Sequence, residues 1–246
     1  MTDFAIQNQN NYDAFIEHLK SVSKNETIED KKRHVAILNT KQDVIAISMA
    51  NIRSVANKIF KAGYDSFLKI GLSRDYKCEF YEETLIQGLV IAQIKDIKKQ
   101  QDLLEVWVNK IDNWSTCDSV VSTMKSLKNS QDKSKVFKFY LNMCFSNEEF
   151  VSRFGIVCLM TNFLESEFID DILDMCQKVS HEAYYVKMAI AWLLSMAFVK
   201  FREETLLLLQ KQTLDKFVQN KTICKCRDSF QVLNEDKEML KTLRIK

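Results

Sequence analysis

Trp114 and Asp118 stand four residues apart in the stretch WVNKIDNWSTCD, residues 107–118. On a helix that spacing sets an aromatic plane and a carboxylate on one face, one turn apart. Such a pair suits a cation: the ring face attracts positive charge and the carboxylate neutralises it. The plainer reading is a core Trp followed by an N-capping Asp, and from these residues alone it is favoured. Two later segments add candidates. EEFVSRFGIVCLM carries Arg153 inside an apolar helix, and AYYVKMAIAWLLSMAFVKF carries Trp192 inside another. Arg153 stands among Phe150, Val151, Phe154, Ile156, Val157 and Leu159, and charges seldom enter such surroundings unpaired. It needs a carboxylate, a phosphate or an exposed face. Glu149, four residues earlier, offers an ordinary helix ion pair. A guanidinium fork also suits phosphate, to which it gives two parallel hydrogen bonds. Most Trp in helices like that of Trp192 are core.

Other chemistries are poorly represented. There is no Ser/His/Asp grouping, no thiol with a matched His, no Gly-rich phosphate loop and no metal cluster. His18, His34 and His181 are scattered and read as surface or capping residues. Seven cysteines without a secretion signal read as reduced thiols. Cys224 and Cys226 form a C-x-C pair whose side chains diverge on a helix, so zinc is not expected.

The elements that must position these residues are helices. The chain has no Pro and four Gly, and 46% of its 246 residues are hydrophobic. A chain so poor in breakers reads as all-α, with turns made by Asn, Ser, Asp and Gly. Helical spacing is expected over 10–23, 27–39 (opened by Thr27), 49–61, 64–70, 77–94, 100–110 and 116–127. It continues over 132–144, 147–164, 167–178, 182–201, 203–210, 213–219, 221–230 and 234–243. Asp112-Asn113 reads as a helix break, and a Trp that follows a break can project from the surface. Ser115 and Thr116 are nearer caps than Asp118, which leaves that carboxylate available. Trp107 reads as packing between helices. Ser146-Asn147-Glu148-Glu149 has capping-box form and is expected to start the helix bearing Arg153. Pairs of amphipathic helices recur at roughly 40-residue intervals, the unit of HEAT-like arrays. No linker or low-complexity stretch interrupts residues 1–246, which read as a single domain.

Net charge is +2, with 16 basic and 16 acidic residues before Trp114 and 19 and 17 from there on. Overall charge therefore does not announce nucleic acid. Two local basic runs point to it weakly: Lys125, Lys128, Lys133, Lys135 and Lys138 against Asp132, and Lys221, Lys225 and Arg227 with no acid. The N-terminus lacks signal-peptide form, and the longest apolar run, 188–199, is too short to span a membrane. A soluble, cytoplasmic protein is expected.

The segments around Trp114, Asp118, Arg153 and Trp192, with IAISMANIRSVANKI (45–59) and FYEETLIQGLVIAQIK (80–95), together resemble the AlkD-type DNA alkylation repair family of HEAT-like-repeat DNA glycosylases. The resemblance runs from about residue 12 to about residue 232. It implies an all-α HEAT-like solenoid, curved, with a concave DNA-binding face. It implies excision of positively charged N3- or N7-alkylated purines from double-stranded DNA by hydrolysis of the N-glycosidic bond, without a pocket that encloses a flipped base. Asp118, Trp114 and Trp192 take the catalytic positions, and Arg153 meets the DNA backbone. Met188 stands where the family more commonly has a Lys, with Lys187 beside it, so that backbone contact is expected at Lys187, weakened or moved. No cofactor or metal is implied, and a monomer is expected. Two other readings stand beside this one: a non-catalytic DNA-binding relative, and a helical scaffold for a protein partner.

Overall fold

The computed structural model describes residues 4–22, 28–73, 75–130 and 132–246, with only the backbone of Ile28, Asp30, Lys128 and Asn129. Ser23 and Thr27, the expected end of the first helix and start of the second, lie outside the described residues. Those residues hold α-helices, short 3₁₀ turns and an isolated bridge between Asp43 and Phe80, and no strand. They form two compact units, Met1–Asn129 and Ser130–Lys246.

The first unit holds α1 (Gln9–Val22), α2 (Ile28–Leu38), α3 (Met49–Ala62), α4 (Asp65–Gly71), α5 (Tyr81–Ile91), α6 (Ile97–Trp107) and α7 (Trp114–Val121). Helix α5 is its centre. All eleven of its residues are buried, and it packs on α3, α6 and α7. It begins later than the expected residue 77. Tyr81 N donates to Asp43 O and Asp43 N donates to Glu79 O, so residues 77–80 pair with the preceding loop instead of winding. That loop is held by Glu82, whose buried carboxylate accepts the backbone N–H of Ile45, Ala46 and Ile47. The bonds hold Ala46 at φ +72°, a left-handed conformation that L residues seldom adopt. Gly88 lets the Trp107 ring and Val120 press onto α5; a Cβ there would overlap both. Trp107 is fully buried and donates Nε1–H to Thr84 O at 2.9 Å, so it packs between helices as expected.

The second unit holds α8 (Lys133–Cys144), α9 (Glu149–Asn162), α10 (Ile169–Lys178), α11 (Tyr184–Lys200), α12 (Arg202–Lys211), α13 (Lys216–Asp228) and α14 (Asn234–Thr242). Helix α11 packs between α9 and α13, while α10 touches α8, α11 and α12. Gly155 sets how closely α9 approaches α8, since a Cβ would stand 2.7 Å from Tyr140 O. Helix α13 replaces two shorter helices expected at 213–219 and 221–230. Asn220, the expected break, instead bonds through its amide to both backbone groups of Ile245, at 2.9 and 3.0 Å. The expected capping box before α9 does not form. Ser146 Oγ accepts Glu148 N at 3.1 Å, and Glu149 turns to a partner in α11.

Helices starting at Met49, Tyr81, Trp114, Glu149, Tyr184 and Lys216 open at intervals of 32–35 residues, shorter than the 40 or so expected. Trp114 and Asp118, Arg153, and Trp192 fall on successive members of this series: α7, α9 and α11. No described helix is long and apolar enough to cross a membrane.

Candidate functional site

The first group of site residues is built on α7. Its cap is Asn113, whose Oδ1 accepts Thr116 N at 2.9 Å, rather than Ser115 or Thr116. Asn113 Nδ2 donates to Asp112, whose carboxylate in turn accepts Thr40 Oγ1 and Lys41 N. The Asp112-Asn113 break therefore anchors the chain after α2 as well as opening α7. Trp114 follows as the first residue of α7, part-exposed, with Nε1 donating to Ile37 O at 3.0 Å. That bond fixes the polar edge of the indole and leaves part of the ring to solvent. The ring lines a cleft of about 480 Å³ together with His34, Leu38, Met49 and Tyr81. Tyr81 shares a hydrogen bond with Ser115 Oγ at 3.0 Å, and burial pushes its phenol up to about 12. Asp118, also part-exposed, lies one helical turn beyond Trp114 on the same face. It does not cap the helix.

The second group spans α9, α11 and α13. Arg153 is only 5% exposed. Its Nη1 donates to Tyr185 O at 2.9 Å, and its guanidinium carbon lies 5.8 Å from the Tyr185 ring centroid. Glu149, one turn earlier, accepts Tyr185 N at 3.0 Å. The two charged side chains of α9 thus hold both sides of one residue in the first turn of α11. Arg153 is a brace between helices, not an arm extended into solvent, which differs from the simple groove-facing expectation. His181 supports the same junction. Its Nδ1 accepts Ala183 N, so Nε2 carries the proton and donates to Asn147 O at 3.1 Å.

Trp192 is part-exposed, as is Met188 one turn before it. Lys225 of α13 sets its ammonium 6.0 Å from the Trp192 ring centroid. Burial holds Lys225 below the ordinary lysine range, and the positive charges of Lys221 and Arg153 depress it further. Arg153, Trp192, Lys221 and Lys225 therefore share one neighbourhood. Lys187 has other partners: its ammonium meets Glu182 at 2.9 Å and Asp215 at 3.4 Å. The hydrogen bond to Glu182, above all, raises its pKa. Lys225 is the cation that sequence reasoning did not place in the site. Its signal was the 221–227 basic run, on the helix that follows Trp192 in the series.

Each group is assembled within its own unit: Trp114 with Asp118 in the first, Arg153 with Trp192 and Lys225 in the second. The seven cysteines are free. Among the described residues no three His, Cys, Asp or Glu side chains cluster closely enough to hold a metal ion.

Residues 15–204 match the model of a family described as DNA alkylation repair enzyme. No curated protein and no solved structure matches the chain. The matched segment contains Trp114, Asp118, Arg153 and Trp192 and ends before α13.

Proposed function

The chain belongs to the DNA alkylation repair enzyme family, of the AlkD type, and from that premise we propose that it is a DNA glycosylase. The substrate in this reading is duplex DNA carrying a positively charged N3- or N7-alkylated purine. The reaction is hydrolysis of the N-glycosidic bond. The single observation that carries it is the pairing of a fixed, part-exposed indole with a part-exposed carboxylate one turn on, both on α7.

An N7-alkylguanine or N3-alkyladenine is already cationic, so it departs as a neutral base without a strong general acid. The C1′–N bond breaks with its electron pair going to the base, and positive charge develops on the deoxyribose. Asp118 and the faces of Trp114 and Trp192 stabilise that cation more than the ground state, which is what lowers the barrier. Water then bonds to C1′ and gives up its proton, with Asp118 placed to orient it or accept the proton. Selectivity comes from the charge and lability of the base, so bulky alkyl groups are tolerated and no enclosing base pocket is needed.

The same reading takes the helices as HEAT-like repeats of a monomer, with Trp114 and Asp118 of the first unit and Arg153 and Trp192 of the second all serving the DNA. Arg153 supports the phosphate backbone there. Lys187 is occupied by Glu182 and Asp215, which favours Lys225 for the cation beside Trp192. Duplex affinity is modest and strongly salt-dependent, because net charge is small and phosphate contacts dominate. The test is single-turnover release of N7-methylguanine from duplex DNA with enzyme in excess. Release well above the spontaneous rate is expected. Release at the spontaneous rate, with DNA binding intact, returns the chain to the non-catalytic reading.

A further inference from the structure

The cations on α13 are arranged as though for an anion. Lys221 and Lys225 lie about one turn apart on that helix, about 6 Å along its axis. Arg153 reaches the same neighbourhood from α9, and its charge adds to that of Lys221 in depressing Lys225. Like charges held this close raise the energy of the empty protein. Asp228 offsets them only in part. Asp215 is already used, since it caps α13 through Val218 N at 3.0 Å and meets Lys187.

Beyond Lys221 the surface continues as a groove of about 550 Å³ lined by Lys216, Phe217, Lys221, Cys224 and Arg244 among others. Phe217 is 38% exposed and packs edge-on against Tyr184, itself 56% exposed, with ring centroids 5.9 Å apart. Among the described residues no ion pair occupies Lys216, Lys221, Lys225 or Arg244. Exposed aromatic rings between unpaired cations match a nucleic-acid strand, with sugars or bases against the rings and phosphates against the ammonium and guanidinium groups.

We propose that α13 carries a backbone track for the DNA strand: Lys225, beside Trp192, holds one phosphodiester, and Lys221 with Arg244 across the Phe217 groove holds the next. The track lies outside the segment that matches the family model. It rests on the reading of Trp192 as part of a DNA-facing site. Its phosphate contacts compensate for the small overall charge of the chain and relieve the crowding of Lys221 and Lys225.

The experiment compares the full-length protein with Lys221→Gln/Lys225→Gln and with Arg244→Gln. A charge-matched control, Lys178→Gln/Lys211→Gln, neutralises two lysines elsewhere in the same unit. Affinity for an undamaged duplex is measured across a salt series, and single-turnover base release is measured at saturating enzyme. Each lost phosphate contact lowers the slope of log affinity against log salt by about 0.9. The double variant should lose about 0.9 to 1.8 of that slope, Arg244→Gln less than about 0.9 because Lys221 still holds the shared phosphate, and the control essentially none. Base release at saturation should stay within a few-fold of wild type for the control, and the salt slopes, not base release, read the track. Superimposed salt curves for wild type and the double variant overturn the track, even if base release is normal. Wild type that fails to release base removes the glycosylase reading alone, because the salt slopes still report whether the track binds DNA.

Discussion

The residues on α7 and those on α9, α11 and α13 share an indole but differ in everything placed beside it. In the first unit Trp114 is accompanied by a carboxylate, and its polar edge is tied to Ile37 O at 3.0 Å. In the second unit Trp192 is accompanied by cations, with Lys225 6.0 Å from its ring and Arg153 and Lys221 close behind. A ring with a carboxylate is complementary to a positive charge, whereas a ring among ammonium groups is complementary to an anion. Within the proposed reaction we read the difference as a division of labour, in which the carboxylate of the first group carries most of the stabilisation of the sugar cation and the cations of the second grip phosphates, with Trp192 lending the cation only a ring face.

The sharpest way to break that division is to remove the charge of Asp118. Asp118→Asn keeps shape and much of the hydrogen bonding. Removing one preorganised electrostatic element costs on the order of 10²–10³ in rate. Base release should slow by about that factor, while duplex binding persists or tightens because a negative charge near phosphates is gone. Equal release rates for wild type and Asp118→Asn in single-turnover assays would remove the carboxylate from the chemistry.

The next largest effect should be structural. Arg153→Ala deletes a buried guanidinium that bonds Tyr185 O at 2.9 Å and leaves Glu149 alone to hold that residue. Hydrogen bonds to charged groups contribute about 1.5–3 kcal/mol. Thermal unfolding should fall by roughly 3–12 °C, at about 2–4 °C per kcal/mol for a chain of this size. Duplex affinity should fall with it. An Arg153→Ala protein that melts like wild type would show that the brace is unimportant and that the residue serves only the DNA. Trp192→Ala should be milder. A ring face contributes roughly 0.5–2 kcal/mol to a cation, so release should slow by a factor of about 2 to 30. If Trp192→Ala instead slows release as much as Asp118→Asn, the second group carries as much of the chemistry as the first and the division fails.

Helix content was legible because a chain without Pro and with four Gly has few ways to stop winding. The boundaries that were missed are those set by distant partners. Residues 77–80 were expected to be helical, but Asp43 takes the backbone groups of Glu79 and Tyr81. Asn220 reads locally as a breaker, yet the backbone of Ile245 satisfies its amide, and α13 runs on through it. The candidate site was legible in part for the same reason. Trp114 and Asp118 pair through local helical spacing, which sequence displays directly. Lys225 meets Trp192 only because α13 packs on α11, and Lys187 meets Asp215 by the same packing. Such side-by-side contacts between helices one repeat apart leave no local pattern. The repeat interval itself was the usable signal, since Lys225 follows Trp192 by about one interval.

The smallest expected effect tests the same comparison from the side of stability. Lys225 sits near two like charges and is partly buried, so its folded pKa lies below the ordinary value of 10.5. Below that depressed pKa the charged form costs the folded state free energy that the unfolded chain does not bear. The cost fades as pH rises from the folded pKa towards 10.5, because the folded lysine then loses its proton first. Lys225→Gln should therefore be slightly more stable than wild type near neutral pH. The gain should be no more than about 0.5 kcal/mol, or some 1–2 °C in melting temperature. The advantage should shrink as pH is raised into the alkaline range. Saturating duplex DNA should reverse the order, because phosphates compensate the crowded cations only where Lys225 is present. Melting curves of both proteins at neutral and alkaline pH, with and without duplex, give all four comparisons. A Lys225→Gln protein less stable than wild type at neutral pH without DNA would mean that Lys225 stabilises the fold, and that its place beside Trp192 is not held for a ligand.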